Sequence, residues 1–530
     1  MKVCLIQPPK IIHAASLHAK NSYAYSQSPS LGLATIAGVL KSAGHEVRAV
    51  DCLGEGIFNF YRHTHLKIVI NGIDLAEMMI RIPTDTEVFG ITMMFSYEWF
   101  YYEAIVNKIR KQFPQAKIIA GGEHASAEAL NILELCNDID YVVIGEGDET
   151  IIELLEIIKS GGSLLNVNGI AFQMGSELIK TAPRKRIKAV DDLPLPLWDI
   201  FPIFNYLNNN CAHSLENRRA IPILMQRGCP YECTFCTNKA MWGRSLILRS
   251  PLAIVEEIKT YIEKYQIEHI DICDSVGILN RPWVIELLTR MKEENLNITW
   301  SHPAGTRSEI LDEVVLALCK ETGAKKIIYA PESGSDELLK RIKKKVNLAK
   351  LTSSMKTSIK LGMVAKTHIM FGLPGQNLKE VISTLFFTLK LAIIGVEDLS
   401  VHSFVAHPGS QEYQSLIDSG KIDIQKIKND GLYPQFLLSQ SFSEGIELHS
   451  WSEGIPHWIL SRLERYTYYM FYGVYYMLRP WKIWHNYRNI VVLRKPISGI
   501  ENLIYRKLYS KGRMTFAEFP EILGLEKYDA

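Results

Sequence analysis

Residues 1 to about 160 alternate short apolar runs with longer segments of helical periodicity. Runs rich in Val and Ile are typical of parallel strands that are buried on both faces. Between the runs, the segment from Leu31 to Ala43 has helical spacing, and Gly44 follows it as a residue that favours a helix end. The alternation predicts an α/β fold with a doubly wound parallel sheet. The predicted strands are Val3–Ile6, Glu46–Asp51, Val88–Thr92, Lys117–Ala120 and Tyr141–Ile144.

A second alternation of strands and helices covers residues 216 to about 420. Leu311–Lys320 and Asp336–Lys343 are two of its predicted helices. Six strand–helix units are too few for a closed eight-stranded barrel, so we expect a partial (β/α)6 barrel that is open on one side. The predicted strands are Ile221–Met225, His269–Cys273, Ile298–Trp300, Lys326–Ala330, Thr367–Phe371 and Leu399–Ser403.

The rest of the chain divides into a connector and a C-terminal region. Asp191–Trp198 is punctuated by prolines, which favour extended backbone in the residue before each of them. Residues 421–530 show no strand alternation and are predicted to be helical. We therefore divide the chain into 1–165, a connector 166–215, a barrel 216–420 and a helical region 421–530.

Length and composition limit the function classes. A chain of 530 residues exceeds one hydrophobic core and suggests two or three domains. Apolar residues are 47% and charged residues 22%, as in ordinary globular proteins, and the net charge of +2 gives no argument for nucleic acid as a partner. No apolar run reaches the ~18 residues that span a bilayer. We expect a cytoplasmic protein without a signal peptide.

Three cysteines within eight residues form the strongest motif, Cys229-x3-Cys233-x2-Cys236. Thiolates are soft ligands that bind iron–sulfur clusters, zinc or copper(I). A structural zinc site would need a fourth protein ligand nearby, and no second Cys or His pair follows. The favoured hypothesis is a [4Fe–4S] cluster with one open iron; zinc and chance spacing are the alternatives. The six other cysteines are scattered, which argues against a disulfide framework and for a reducing compartment.

Glycines follow two of the predicted N-terminal strands, Gly121-Gly122 after the fourth and Gly145 and Gly147 after the fifth. Ligands of doubly wound sheets bind beyond the carboxyl ends of the strands, where glycine lets a bulky group approach the backbone. No Gly-x-Gly-x-x-Gly follows the first strand, so a dinucleotide is disfavoured. The alternative is a flavodoxin-like domain whose glycines only make turns.

The run Gln226–Thr237 around the three cysteines resembles the signature of radical S-adenosylmethionine (SAM) enzymes that carry an N-terminal cobalamin-binding domain. The N-terminal glycines and the polar residues at the predicted barrel strand ends follow the same family pattern over roughly 400 residues. The resemblance implies three cofactors: a [4Fe–4S] cluster on Cys229, Cys233 and Cys236, SAM, and cobalamin. The implied cofactor-binding residues are Asp274, Glu332, Ser333, Gly372 and Gly375 in the barrel, and Thr92, Met94, Gly121, Gly122, Gly145 and Gly147 in the N-terminal domain.

Two departures from the family pattern stand out. Gln376 occupies a position where the family commonly has an acid. The Asp-x-His-x-x-Gly motif that supplies a histidine to cobalt is absent, so His13 and His18 are expected to be solvated or packed. The resemblance implies instead that the lower face of the cobalt lies near the loop Thr92–Tyr97. Tyr231 and Phe235, between the cysteines, are expected either to shield the cluster or only to pack.

The implied reaction is radical methylation of an unactivated carbon in a small or lipid-like metabolite. One SAM would yield a deoxyadenosyl radical, a second would re-methylate cobalamin, and a flavodoxin or ferredoxin would supply the electron. The alternatives are a cobalamin-dependent oxidoreductase or ring cyclase of the tetrapyrrole type without methyl transfer, and a non-catalytic cobalamin-binding protein.

The C-terminal region is aromatic and basic. Tyr466–Leu478 contains no charged residue, and residues 461–513 carry eleven Lys and Arg against two Glu, which gives 11 − 2 = +9. Three interpretations remain open: a helix packed on the barrel, peripheral contact with the inner membrane surface, and a lid over the substrate.

Overall fold

A computed structural model of the chain describes residues 1–13, 27–63, 68–214, 218–434, 436–437, 450–494 and 515–518, together with 496, 498, 500–501, 504–505 and 508. The N-terminal part contains ten strands: β1 (Lys2–Gln7), β2 (Lys10–His13), β3 (Glu46–Asp51), β4 (Asn59–His63), β5 (Ile68–Asn71), β6 (Val88–Thr92), β7 (Lys117–Gly121), β8 (Tyr141–Val143), β9 (Ile170–Met174) and β10 (Glu177–Lys180). Its helices are α1 (Leu31–Ser42), α2 (Cys52–Glu55), α3 (Leu75–Arg81), α4 (Trp99–Gln112), α5 (Glu123–Ala127), α6 (Ala129–Leu135) and α7 (Gly147–Ser160).

Seven of these strands form one sheet in the order β10-β9-β8-β7-β6-β1-β3. β1, β3, β6, β7 and β8 run parallel, and helices pack on both faces, which confirms the predicted doubly wound sheet. These are the Val- and Ile-rich runs, and they are buried because both of their faces are covered. The antiparallel hairpin β9–β10 extends the sheet at one edge.

A second, small sheet has the order β19-β4-β5-β2, where β19 is Thr515–Glu518. β19 runs parallel to β4, with Thr515 opposite Asn59. The predicted helical character of region 421–530 is confirmed by the helices described below, and strand β19 is an element that the prediction did not include. Its partner lies more than 450 positions away along the chain, and no local pattern reports such a pairing.

The barrel follows a short helix of the connector, α8 (Ile203–Asn208). Its six main strands are β11 (Ala220–Ile223), β14 (His269–Ile272), β15 (Thr299–Ser301), β16 (Lys326–Glu332), β17 (Val364–Phe371) and β18 (Asp398–Ser403), with a small hairpin of β12 (Gln226–Arg227) and β13 (Ile247–Leu248). Its helices are α9 (Asn238–Trp242), α10 (Pro251–Tyr265), α11 (Arg281–Glu293), α12 (Glu313–Glu321), α13 (Asp336–Arg341), α14 (Leu348–Lys360) and α15 (Leu378–Ile394).

The six strands form two parallel three-stranded sheets, β11-β14-β15 and β16-β17-β18. Isolated bridges join them, Trp300 to Ala324 and Thr306 to Tyr329. The partial, laterally open barrel is thus confirmed. All six strands overlap the predicted runs, because each of these runs is enclosed between the barrel interior and the surrounding helices.

Beyond the barrel lie α16 (Gln411–Asp418), α17 (Ile424–Asn429), α18 (His457–Leu478), α19 (Trp481–Tyr487) and a π turn at Arg488–Val492. α18 packs against α15 and covers the free edge of β18. The backbone N–H of Val401 donates to the Tyr468 hydroxyl at 3.0 Å, and that of Leu399 donates to Tyr472 at 3.4 Å. One face of α18 is therefore packed on the barrel. Within the described ranges, no helix combines the length and apolarity needed to cross a bilayer.

Candidate functional site

The three motif cysteines lie on the loop between β12 and α9, and none of them forms a disulfide. The loop turns tightly, with the N–H of Cys236 bonded to the carbonyl of Cys233 at 3.1 Å. Gly228, just before the first cysteine, has φ +90°, and a Cβ there would lie 2.2 Å from the carbonyl oxygen of Ser245. Only glycine lets the chain enter the loop at this point.

The cysteine surroundings disfavour free thiolates. Burial raises the pKa of Cys229 and Cys233, although the cations Arg307 and Lys344 partly oppose this. The same cause raises the pKa of Cys236 to about 11, even though its side chain can be reached by solvent. A bound metal centre would supply the positive charge that deprotonates all three thiols.

The donor set suits a cluster better than a single ion. Among the described residues, no three His, Cys, Asp or Glu side chains converge on one ion position. In a cubane each thiolate binds a different iron, so its sulfur ligands stand farther apart than the ligands of one zinc ion. The three free thiols on this one loop therefore fit the ligand chemistry of a [4Fe–4S] cluster.

Two buried cations flank the loop. Lys344 forms an ion pair with Glu332 at 2.8 Å, and its amine lies 5.7 Å from the centre of the Phe235 ring. The Arg307 guanidinium stacks 3.5 Å from the centre of the Tyr231 ring. Both aromatic rings between the cysteines are thus covered by cations, and the loop carries positive charge beside the thiols.

The predicted residues at the barrel strand ends take different positions. Asp274 is buried and accepts the N–H groups of Met225 and Gln226 at 2.8 and 3.2 Å, so it supports the start of the cluster loop. Burial raises the pKa of Asp274 to about 7, although these two donors oppose the rise. Glu332 ends β16 with φ +68°, an unusual conformation for a non-glycine residue.

Ser333 is fully buried in this structure. Its hydroxyl bonds to Thr384 at 2.9 Å and accepts the N–H of Ser335 at 3.0 Å. The following helix α13 is capped by Ser335, which accepts from Leu338. Ser333 therefore stabilises the turn after Glu332 from inside.

The turn after β17 contains Gly372 and Gly375, with φ +83° and +67°. A Cβ on Gly372 would lie 2.8 Å from the Leu460 side chain of α18, whereas Gly375 faces open space apart from Arg341 at 4.0 Å. The side-chain oxygen of Gln376 accepts the N–H of Gly372 at 2.7 Å. Gln376, whose role the motif left open, thus closes this turn.

The carboxyl edge of the N-terminal sheet exposes apolar groups beside glycines. Thr92, which ends β6, is buried, while Met94 and Phe95 after it are exposed. A Cβ on Gly121 would meet no atom within 4 Å, so the edge has open space there. Gly122 has φ +113°, and its Cβ would lie 2.7 Å from the carbonyl oxygen of Met93. An exposed apolar edge with space above it suits a bulky ligand such as a corrin.

The next strand end is built differently. Gly145 has φ +76°, and its Cβ would come within 3.3 Å of the carbonyl oxygen of Met241 in α9. Gly147 begins α7 without a positive φ. Of the two loop histidines, His13 ends β2, and His18 lies outside the described residues.

The same sheet edge touches the cluster loop through buried charges. Arg227, two residues before Cys229, bonds to Glu146 at 3.0 Å and to both carboxylate oxygens of Asp148 at 2.9 and 3.1 Å. Arg186 approaches Glu146 from the connector at 2.5 Å. The side chains of Arg227 and of its two partners, Glu146 and Asp148, are nearly inaccessible to solvent.

Two further contacts join α5 to the segment after the cysteines. The Thr237 hydroxyl donates to Glu123 of α5. Gly409 packs between Ala127 of α5 and Ala240 of α9, where an added Cβ would lie 2.8 Å from the first and 3.2 Å from the second. Sequence reasoning did not single out Glu123, Lys344 or the partners of Arg227. The signal for Arg227 was its place beside the cysteines, but nothing local indicates the carboxylates that it binds.

The family comparisons agree with this geometry. Residues 223–388 match the model of the radical SAM superfamily, and residues 21–155 match the B12 binding domain. An uncharacterized methyltransferase of Pyrococcus horikoshii is 27% identical over 74% of this chain and 79% of its own. The cytidylyl-2-hydroxyethylphosphonate methyltransferase of Streptomyces wedmorensis is 26% identical over 77% and 82%.

Among solved structures, the radical SAM methyltransferase TsrM from Kitasatospora setae, with tryptophan and a SAM analogue bound, superposes with a TM-score of 0.64. The alignment covers 99% of this chain and 98% of that one at 14% identity, so it shows a common fold.

Proposed function

The chain belongs to the radical SAM enzymes that carry a cobalamin-binding domain, and we propose that it methylates an unactivated carbon of a small or lipid-like metabolite. Its cofactors are a [4Fe–4S] cluster, SAM and cobalamin. The observation that carries the proposal is the contact between the two cofactor regions. The cysteine loop lies directly against the carboxyl edge of the sheet in the B12-binding domain.

Cys229, Cys233 and Cys236 would hold the cluster, and the glycine-lined edge at Gly121, Gly122, Gly145 and Gly147 would hold the corrin. When bound, these groups supply the electron that cleaves SAM and the methyl group that is transferred. The protein's own contribution is to position the substrate carbon between them and to exclude water.

For SAM, we propose that Glu332 contacts the amino acid part, with Gly372 and Gly375 near the adenine. Glu332 supports this role because its carboxylate lies at a barrel strand end and is held by Lys344, next to the cysteines. Asp274 and Ser333 would support the SAM-binding residues from below, since each is buried and bonded to neighbouring backbone or side chains. Thr92 and Met94 would lie below the corrin, where Met94 is exposed.

Relatives at 27% and 26% identity are named methyltransferases, whereas relatives at 22–25% are named magnesium-protoporphyrin IX monomethyl ester cyclases. The higher identity to the methyltransferases supports methylation, and cyclisation is the alternative. We further propose a flavodoxin- or ferredoxin-type electron donor and a cytoplasmic location, with peripheral contact at the inner membrane surface through the C-terminal region. A reducing compartment suits the proposal, because none of the cysteines within the described residues is paired in a disulfide.

The direct test is anaerobic reconstitution with iron, sulfide and cobalamin, followed by SAM, a reductant and mass spectrometry of the products. We expect 5′-deoxyadenosine from the enzyme alone. When cell extract supplies the substrate, we expect S-adenosylhomocysteine and a product in which a methyl group replaces one hydrogen, so that its mass rises by one CH2 unit. Cys229→Ser, Cys233→Ser and Cys236→Ser should each lose the iron–sulfur absorbance. Cys273→Ser, at the end of β14 and outside the loop, is the matched control and should keep it.

Intact SAM after reduction of a loaded cluster would refute the enzyme assignment. Deoxyadenosine with a product of unchanged carbon count would refute methyl transfer and favour the cyclase-type alternative.

A corrin-specific test uses Gly121. Since a Cβ there enters open space, Gly121→Leu should leave the fold intact and weaken cobalamin binding by about tenfold or more through steric overlap with the ligand. Equilibrium dialysis with hydroxocobalamin measures this, and unchanged affinity would show that the corrin does not lie at this edge.

A further inference from the structure

α18 has two different faces. Phe471 and Tyr475 are fully buried against the barrel, whereas Tyr469 is 67% and Met477 79% exposed. Tyr466 and Gly473 continue the exposed face at helical spacing, and a Cβ on Gly473 would meet no atom within 4 Å. The outer face of this helix is therefore apolar and aromatic without being covered by any described residue.

The same character continues in α19. Trp481 and Trp484 are 63% and 68% exposed, and the Trp484 ring stacks on Tyr487 with the ring centres 5.3 Å apart. α19 is held from its other side, where Lys482 pairs with Glu397 at 2.8 Å. We call the exposed side chains of Tyr466, Tyr469, Met477, Trp481 and Trp484 the aromatic face. Single exposed apolar residues are ordinary, but a group of this size marks an interaction surface.

Basic residues accompany the aromatic face. Residues 457–493 contain five Arg and Lys and one acid, Glu464, which gives 5 − 1 = +4. Arg479 and Lys482 are engaged with the carboxyl end of α15 and with Glu397, but Arg462, Arg465 and Arg488 are exposed. Positive charge beside exposed Tyr and Trp is the composition of segments that lie in a membrane interface.

We infer that the peripheral membrane contact proposed above, on which this inference rests, is made by the aromatic face. This face docks on the surface of an anionic bilayer, with Trp481 and Trp484 at headgroup depth and the exposed arginines facing lipid phosphates. A second copy of the chain is the less favourable occupant. A twofold dimer through this face would bring the like-charged arginines of two copies together. A lipid surface instead offers complementary charge and needs no membrane-spanning helix.

Cosedimentation of the reconstituted full-length protein with vesicles tests the inference. We expect binding to phosphatidylcholine vesicles that contain phosphatidylglycerol, little binding to phosphatidylcholine alone, and release at high salt. Trp481→Ala with Trp484→Ala should weaken binding by about tenfold or more. Arg462→Gln and Arg465→Gln should each weaken it about fivefold at low salt.

Ile80→Ala is the matched control, because Ile80 is 83% exposed on α3, far from the aromatic face in the chain, and should bind as the wild type does. All variants should keep cobalamin binding and SAM cleavage, so failure of membrane docking is distinguishable from failure of the proposed methylation. No binding to anionic vesicles, or equal binding by the double tryptophan variant, would overturn the inference. Concentration-dependent dimers abolished by the same variant would assign the surface to a second copy instead. Poor acrylamide quenching of the two tryptophans without vesicles would show that another part of the chain covers the aromatic face.

Discussion

Replacement of Arg227 by methionine removes the cation that joins the cysteine loop to the B12-binding domain. Arg227 makes three bonds of 2.9–3.1 Å to Glu146 and Asp148, and the side chains of all three residues are at most 6% exposed. The methionine side chain has similar length and keeps much of the apolar contact. The change therefore tests the charge rather than the volume.

After the substitution, Glu146 and Asp148 keep different partners. Glu146 keeps Arg186 at 2.5 Å and the N–H of Ile187 at 3.3 Å. Asp148 loses the contact that Arg227 makes with both of its oxygens, and the described residues offer it no other hydrogen-bond or ion-pair partner. It retains the favourable field at the start of α7. Breaking a buried pair costs about 3–5 kcal/mol, and because Glu146 stays paired we expect about 3 kcal/mol.

The assay is urea unfolding of the cluster-free protein at pH 7.5, with a double-mutant cycle that adds Asp148→Asn. We expect a coupling energy of about 2 kcal/mol between the two positions. Arg48→Met is the matched control, since Arg48 pairs with Glu46 at the surface and should cost no more than about 1 kcal/mol. Equal costs for the two arginine variants, or a coupling energy near zero, would refute the reasoning.

Three further changes have defined outcomes. Burial raises the pKa of Asp51 to about 6, so the folded chain binds the proton more tightly than the unfolded chain does. The free energy of unfolding should therefore fall by about 2 kcal/mol between pH 4 and pH 7. Asp51→Asn, which still accepts the N–H of Gly54, should remove this fall in urea titrations at the two pH values, and an unchanged fall would contradict the assignment. Tyr468→Phe leaves the Val401 N–H without its acceptor and should lower the free energy of unfolding by about 1–3 kcal/mol. The control Tyr469→Phe, at an exposed position, should change it by less than about 0.5 kcal/mol. Equal unfolding midpoints for the two variants would count against α18 closing the edge of β18. Gly122→Ala should lower stability by about 1–3 kcal/mol, because the residue has a positive φ and its Cβ would meet the Met93 carbonyl. Gly121→Ala, where the Cβ meets no atom, should be nearly neutral. Thermal unfolding compares the two variants, and a neutral Gly122→Ala would show that the turn relaxes.

The fold of both α/β parts was predictable because their strands are buried on two faces. Runs such as Val3–Ile6 must be apolar on both sides, and that requirement is local and visible in the sequence. Among the strands that the structure describes, β19 and the hairpin β9–β10 lie at the ends of their sheets. Their weaker patterns left them unpredicted.

The candidate site was predictable only as far as its motifs are contiguous. The cysteine spacing identifies the cluster loop, since three thiols on one short loop are held near one another by the chain itself. The glycines at the sheet edge were recognisable, but not how they differ: Gly121 has open space, while Gly122 is fixed by its conformation.

The two α/β parts, the cluster loop and the family pattern could be read from local sequence, because each depends on residues that are neighbours in the chain. The pairing of Arg227 with Glu146 and Asp148, the pairing of Lys344 with Glu332 and the exposed face of α18 were established only by folding. Such contacts join segments that come together only when the chain folds. A charged side chain has the same local sequence whether it meets a partner or water, and so its sequence does not reveal which one it meets.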